Sequence, residues 1–307
     1  MASVLRQSGF PQSTTLRGIH MVIGRNYTQR PSIGEEIFTV KDSTQYREHT
    51  LTMGAGGLFE TRDEGQPTNY VTYNEGFLET YTYVTYSSGF RITQVQYLND
   101  LYGTMEDNAA ELGRMAVVSK ETILANHFNN AFSGSFLGAD GASLCSVSHL
   151  LEDGTTVRNK PATNSDMDFS TTGLEQGLVD FRDQRDGGNK RLQFMPEVVL
   201  TSGGIIGGVF DPQRTLGSTN APDNDTNAIN PVKTYGLSHK IWDYLSNTDD
   251  WFILAPKAEH KLLNFIRIPF YSEHLYDFDT DDVKVKGVFG ESSGWGDWRG
   301  IWGTSGA

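Results

Sequence analysis

The pentad Gly290-Glu291-Ser292-Ser293-Gly294 fits the G-x-S-x-G spacing of a hydrolase elbow, in which a serine is exposed on a sharp strand-to-helix turn. That chemistry needs a following helix and, later in the chain, an acid and a histidine. Thirteen residues follow Gly294, and they open Trp-Gly-Asp-Trp-Arg-Gly. The last histidine, His274, precedes the serine. The pattern is therefore read as a chance match, and a serine hydrolase built on Ser292 stands as a remote alternative.

Other chemistry is weighed in the same way. Asp277-Phe278-Asp279-Thr280-Asp281-Asp282 starts like a calcium loop, but Asp282 occupies the position that needs glycine and Val288 the position of the closing glutamate. A solvated turn before a strand is the expectation, and Asp223-Asn224-Asp225 reads as a loop acid cluster. The seven histidines lie at least fourteen residues apart, so local metal-ligand spacing is absent. His127 is expected to be a satisfied packing residue. Gly203 to Gly208 lacks the lysine of a phosphate loop, and Gly54, Gly56 and Gly57 fit flexible chain. The single cysteine, Cys145, excludes an intrachain disulfide and any multi-cysteine metal site. No catalytic residue, cofactor or metal is expected.

The chain of 307 residues is 37% hydrophobic and 21% charged, a globular balance. Its longest apolar stretches, such as Trp251 to Ala255, fall far short of the roughly 18 residues that cross a bilayer. The formal charge is −13, unevenly placed. Residues 1–34 hold four arginines (Arg6, Arg17, Arg25, Arg30) and no acid, while the remainder holds 21 basic and 38 acidic residues. A basic arm on an acidic body suits association between copies and does not suit a DNA-binding face. Gly9, Pro11, Gly18, Gly24 and Pro31 are expected to break the amphipathic helix that an organelle transit peptide requires.

The elements follow from periodicity. Residues 1–50 are expected to be an extended arm lying on other structure. Residues 51–97 read as a β-hairpin, carrying nine of the chain's 35 aromatics and bulky groups on both faces. Residues 98–133 read as one long helix, with Leu98, Leu101, Met105, Ala109, Leu112, Ala116 and Ile123 at helical spacings. Gly113 interrupts it and Gly134 follows it. Short strands and turns are expected over 135–165, and an amphipathic helix from Thr171 to Asp186. Strands are expected at Val198–Thr201, Trp251–Ala255, Phe265–Tyr271 and Val283–Phe289. The last is taken as an edge strand from Lys284 and Lys286. Ile205–Phe210 suits a helix, and 211–231 an exposed loop.

This order resembles the major capsid proteins of tailed phages, with the HK-ninety-seven-like fold, on the branch near the Mu-like head subunit. The residues that carry the resemblance are Gly89-Phe90-Arg91-Ile92-Thr93 and Asn99-Asp100-Leu101-Tyr102-Gly103 before the long helix, and Asn129-Asn130-Ala131-Phe132 near its end. Gly138-Ala139-Asp140-Gly141 with Leu144, Ser148 and His149 adds to it. So do Asp180 to Asp186 with Phe181, Arg182, Gln184 and Arg185, and the closing Asp297-Trp298-Arg299-Gly300-Ile301-Trp302-Gly303.

The resemblance implies an α+β subunit in five parts. These are an N-terminal arm (1–50), an extended loop (51–97), a spine helix (98–133), a peripheral domain (98–160 and 262–307, containing the spine) and an axial domain (161–261). It implies a major head protein, not an enzyme, that builds the icosahedral shell around double-stranded DNA, found in the virion and in host cytoplasm before assembly. Its partners would be identical subunits in pentamers and hexamers, a portal, a separate scaffolding protein and a decoration protein, with no membrane. Only about 50 residues precede the hairpin, which leaves no room for a substantial fused scaffold. The residues expected at subunit contacts are Arg6, Arg17, Arg25, Arg30, Phe59, Tyr70, Phe77, Tyr81, Tyr83 and Tyr86. Replacing Tyr81 and Tyr83 with Ala is expected to weaken shells without unfolding the subunit. No lysine occurs between Lys41 and Lys120, so the loop cannot supply a lysine–asparagine crosslink. The alternative within the same class is a decoration or tail subunit.

Overall fold

A computed structural model describes residues 14–29, 31–54, 56, 58–68, 70, 75–93, 95–96, 99, 103–151, 153–162, 166–203, 236–277 and 279–306. The helix expected at 205–210, the loop at 211–231 and the cluster at 223–225 lie outside them.

The long helix is α3, Thr104–Asn129, 26 residues and about 39 Å long. It starts after Gly103, whose φ of 72° is a left-handed turn that suits glycine, so the helix opens later than position 98. The shorter helices α1 (Thr14–Thr28) and α2 (Ile33–Ile37) lie before it. The expectation that glycines forbid a helix here is corrected by α1, which runs through Gly18 and Gly24. Ile19 and Ile23, four residues apart, are buried with Ala109 and Leu112 of α3 in one cluster. That tertiary packing outweighs the glycine penalty of about 1 kcal/mol each. Gly113 has its own reason: a Cβ there would stand 2.5 Å from the Ile23 carbonyl oxygen, so the glycine lets α1 lie close on α3.

Two four-stranded sheets form the body. The first runs in the order β1 (Thr39–Asp42), β10 (Leu262–Asp277), β11 (Asp282–Trp295), β4 (Val84–Ile92). β10 and β11 are long antiparallel partners, from Leu262 opposite Trp295 to Asp277 opposite Asp282. Their register is irregular between Ile268 and Tyr271, where Pro269 has no N–H to give the ladder. The reading of residues 283–289 as an edge strand is corrected, because β11 lies between β10 and β4. Lys284 and Lys286 pair instead with Asp277 and Glu273, both 3.0 Å away.

The second sheet runs β12 (Ile301–Thr304), β9 (Trp251–Leu254), β7 (Val198–Thr201), β8 (Ser238–Ile241). Both faces of its middle strands are covered, which is why β7 and β9 read as nearly unbroken apolar runs. Leu200, Phe252, Leu254 and Ile301 join Leu124 and Phe128 of α3 in one core. Val199, Trp251, Ile253 and Trp302 join Leu174, Leu178 and Phe181 of α4 (Thr171–Arg182) in another. Burying each of these side chains contributes roughly 1.5–3 kcal/mol. A small hairpin, β5 (His149–Leu150) with β6 (Thr156–Val157), completes the body.

The expected hairpin within 51–97 is corrected in its pairing. β3 (Glu75–Thr82) pairs antiparallel with β2 (Arg47–Met53), while β4 pairs with β11. The chain changes sheets at Tyr83, and β2 and β3 form a separate two-stranded ribbon.

Candidate assembly surface

Several of the chain's exposed apolar groups gather at the ribbon and the segment between its strands. Leu51 and Leu78 face each other across β2 and β3, and both are exposed. Leu58, Phe59 and Tyr70, in the segment between the two strands, are more exposed still, with Phe59 fully in solvent. A two-stranded ribbon is marginal by itself, so its root is fastened to the body. Thr52 Oγ1 accepts from the Phe77 N–H at 2.7 Å, bridging the register irregularity beside Leu51. Phe77 and Thr52 line a small cleft with Ala139, Trp295 and Trp298.

The remaining residues expected at subunit contacts take different places. Tyr81 is corrected from a contact for a neighbour to a core residue of its own chain, buried with Leu263 and Phe265 and 5.1 Å from the Phe265 ring. Tyr83 lies under the Arg267 guanidinium at 4.9 Å, and Tyr86 stacks on Phe289 at 5.2 Å. Phe77 is half-buried. Arg25 is exposed in the last turn of α1, where its charge suits the helix dipole. The side chain of Arg17, on the same helix, and Arg6 and Arg30 altogether lie outside the described residues.

Beneath the ribbon root, the motif residues that the sequence scatters over 160 positions converge. His149 is fully buried, with Nδ1 2.6 Å from Asp140 Oδ2 and Nε2 3.0 Å from Asn159 Oδ1. The Asn159 amide donates to the Leu144 and Ile301 carbonyls, which fixes Oδ1 as the atom facing the ring. Both ring nitrogens therefore face oxygen acceptors. Gln184 donates to the Ile301 carbonyl and accepts from the Gly300 N–H, each at 2.8 Å. Arg299 donates to the Arg185 carbonyl at 2.9 Å and pairs with Asp297 at 3.0 Å. These contacts pin the end of α4 and the 138–149 segment to the chain entering β12.

A second anchor, invisible in the sequence, holds the N-terminal segment to the spine. Lys120 reaches Glu35 at 2.6 Å and the Tyr27 hydroxyl at 3.0 Å. Burial alone would pull its pKa down, but these two hydrogen bonds outweigh burial and raise it above the ordinary lysine value. Buried Glu121 accepts from Ser32, from the Gly34 N–H at 3.2 Å and from Trp242 Nε1 at 2.7 Å. The one sequence signal was the Ser-x-x-Glu cap at Ser32 and Glu35, and only its serine half forms, at 3.0 Å to the Glu35 N–H.

The hydrolase spacing takes no elbow geometry. Residues 290–294 run straight through β11, with Ser292 opposite Phe265. Ser293, its neighbour, lies 2.8 Å from His127 Nε2. The other ring nitrogen, Nδ1, is buried and without a hydrogen-bond partner. Placing the proton there would leave an unsatisfied donor at about 1–3 kcal/mol. No acid holds Nδ1, so the ring lacks the orienting partner of a triad base beside that serine. Burial lowers the His127 pKa to about 4. Asp277 and Asp282 pair with Lys284 and Arg91, and among the described residues no group of three or more His, Cys, Asp or Glu is placed to hold a metal ion. No described helix is long and apolar enough to cross a membrane.

Residues 78–303 match the family model described as phage capsid protein. No curated protein matches the chain in sequence. Among solved structures, the chain is similar to one from Microbacterium phage Oxtober96, at 12% identity and a TM-score of 0.55, over 91% of this chain and 92% of that one. It is also similar to the capsid of cyanophage P-SCSP1u, at 9% identity and a TM-score of 0.58, over 91% and 89%. A virus-like particle from Pyrococcus furiosus matches at 10% identity and a TM-score of 0.53, over 94% and 98%. At such identities the likeness is one of fold.

Proposed function

The chain belongs to the phage capsid protein family, and from that membership we propose how its copies close a shell. The protein is a structural component of the virion, and identical subunits of it build the capsid. In the arrangement we propose, the β2–β3 ribbon and residues 54–74 lie over the neighbouring subunit, and the subunits form pentamers and hexamers. The observation that carries this reading is the set Leu51 and Leu78 on the ribbon with Leu58, Phe59 and Tyr70 between its strands, all apolar and exposed. Covering Leu58 and Phe59 would contribute roughly 1.5–3 kcal/mol each, repeated at every contact around the shell. Phe77 would form the hinge side of the contact, and the arginines of residues 1–34 would meet the acidic body of another copy.

The same reading assigns residues 1–50 to the arm, 51–97 to the extended loop, 98–160 and 262–307 to the peripheral domain and 161–261 to the axial domain. β12 pairs with β9, so the last strand would tie the peripheral part to the axial sheet. The protein would carry no catalytic activity. The enclosed genome would be double-stranded DNA, held without sequence specificity by a wall whose net charge of −13 limits sticking. A scaffolding protein, a portal and a decoration protein complete the proposal.

Electron microscopy of the purified chain, alone and co-expressed with its genomic neighbours, tests it. Closed shells with five-fold and six-fold units, holding nuclease-protected DNA after packaging, are expected. Lone molecules indifferent to concentration and to assembly aids would overturn it.

A further inference from the structure

The fold brings into direct contact two histidines that stand 254 positions apart in the chain. His20 Nε2 on α1 lies 2.8 Å from His274 Nδ1 on β10, with the rings 5.0 Å apart and tilted by 46°. His20 Nδ1 lies 2.6 Å from Ser272 Oγ. Ser272 and His274 share one face of β10, since side chains alternate along a strand. The pair lies at the exposed rim of the contact between α1 and the body, whose apolar part is made by Ile19 and Ile23 in their cluster and by Tyr27 stacked on Phe270 at 4.6 Å.

A hydrogen bond between two imidazoles needs one N–H and one lone pair. A neutral pair supplies both, and so does a pair that has taken up one proton. With two added protons each facing nitrogen carries an N–H, the bond is lost and two like charges stand side by side. We infer that the His20–His274 contact is an acid-sensitive latch, tightening α1 on β10 while the pair carries at most one added proton and loosening it when both rings are charged.

The surroundings leave the pair to act through itself. Burial and the charge of His274 both lower the His20 pKa. The other charged or titratable groups of the packed elements are Arg25 and Tyr27 on α1, Glu106, Asp107, Glu111, Arg114, Lys120, Glu121 and His127 on α3, Arg267, Tyr271, Glu273, Tyr276 and Asp277 on β10, and Asp282, Lys284, Lys286 and Glu291 on β11. Glu111 pairs with Arg114, Glu273 with Lys286 and Asp277 with Lys284, and none of them acts on His20 as His274 does. The freed helix binds the second proton at the ordinary histidine value and the docked one resists it. Docking is therefore complete at neutral pH and weakens as pH falls below about 6.5. One proton shed on docking corresponds to a shift on the order of tenfold by about pH 5.

Hydrogen exchange on the full chain reads this directly. Protection of residues 18–28, taken relative to the α3 amides around Leu124, should fall on the order of tenfold between about pH 7.5 and pH 5. His20→Gln removes the ring that resists the proton and should make that ratio insensitive to pH, while His274→Gln leaves only the burial of His20 and should shrink the fall. A wild-type ratio that stays flat would overturn the latch, even if both variants failed to fold. So would variants that lose protection on acidification as the wild type does.

Discussion

The imidazole of His149 lies flat against the indole of Trp298, with ring centroids 4.3 Å apart and the planes 14° from parallel. Edge-on, the same ring meets Asp140 and Asn159. One buried side chain thus joins the segment under the ribbon root to the chain entering β12. His149→Ala should destabilise the dissociated subunit by about 3–5 kcal/mol, because it leaves the Asp140 carboxylate buried without its partner. Denaturant midpoints measure this, and a loss below about 1 kcal/mol would show that the site relaxes or fills with water at little cost.

Tyr81 and Phe59 separate subunit stability from shell stability. Tyr81→Ala removes a ring buried against Leu263 and Phe265 and should cost the isolated subunit about 3–5 kcal/mol. Phe59→Ser alters a side chain with no cover in its own chain, so the subunit midpoint should stay within about 0.5 kcal/mol. Shells of the Phe59 variant should melt earlier or fail to close. Equal shell stability in the variant and the wild type would remove Phe59 from the contact.

Acid should unfold the subunit through two buried histidines. Burial lowers both His127 and His260 to about 4, with Lys257 adding to the effect at His260. An unfolded chain binds protons at these positions near pH 6.5 and the folded chain does not. Stability from this source is present above pH 6.5 and lost as pH falls toward 4, by about 3 kcal/mol per histidine. His127→Asn should flatten part of that slope in thermal melts taken from pH 7 to 4. An unchanged slope would place the acid sensitivity elsewhere.

The ribbon and the segment between its strands contain no lysine, since none occurs between Lys41 and Lys120. Mature shells should therefore run as single-subunit bands on denaturing gels. A ladder of covalent multimers would show that an amine from another part of the chain reaches a neighbour.

Elements whose own residues dictate them were legible in the sequence. β7 falls on Val198–Thr201 as read, and the spine and α4 follow their apolar spacing. What escaped was set by distant partners. α1 carries two glycines and was passed over, because its stability comes from Gly113 and the apolar face of α3. β3 pairs with β2 across residues 54–74, and β4 with β11, and no local signal gives either pairing. β11 looked like an edge because its lysines alternate, and the acids that answer them sit on β10. The exposed ribbon aromatics were recognisable by composition. The meeting of Asp140, His149, Asn159 and Trp298 was not, since each is an ordinary residue until the chain closes.

β12 places Ile301 in one core and Trp302 in the other. A nascent chain on the ribosome therefore lacks a wall of both cores until these residues have left the exit tunnel. Arrested before that point, it should be cut by protease throughout the second sheet. Until β12 has joined, neither core is complete, and a partial chain has no finished body to add to a growing lattice.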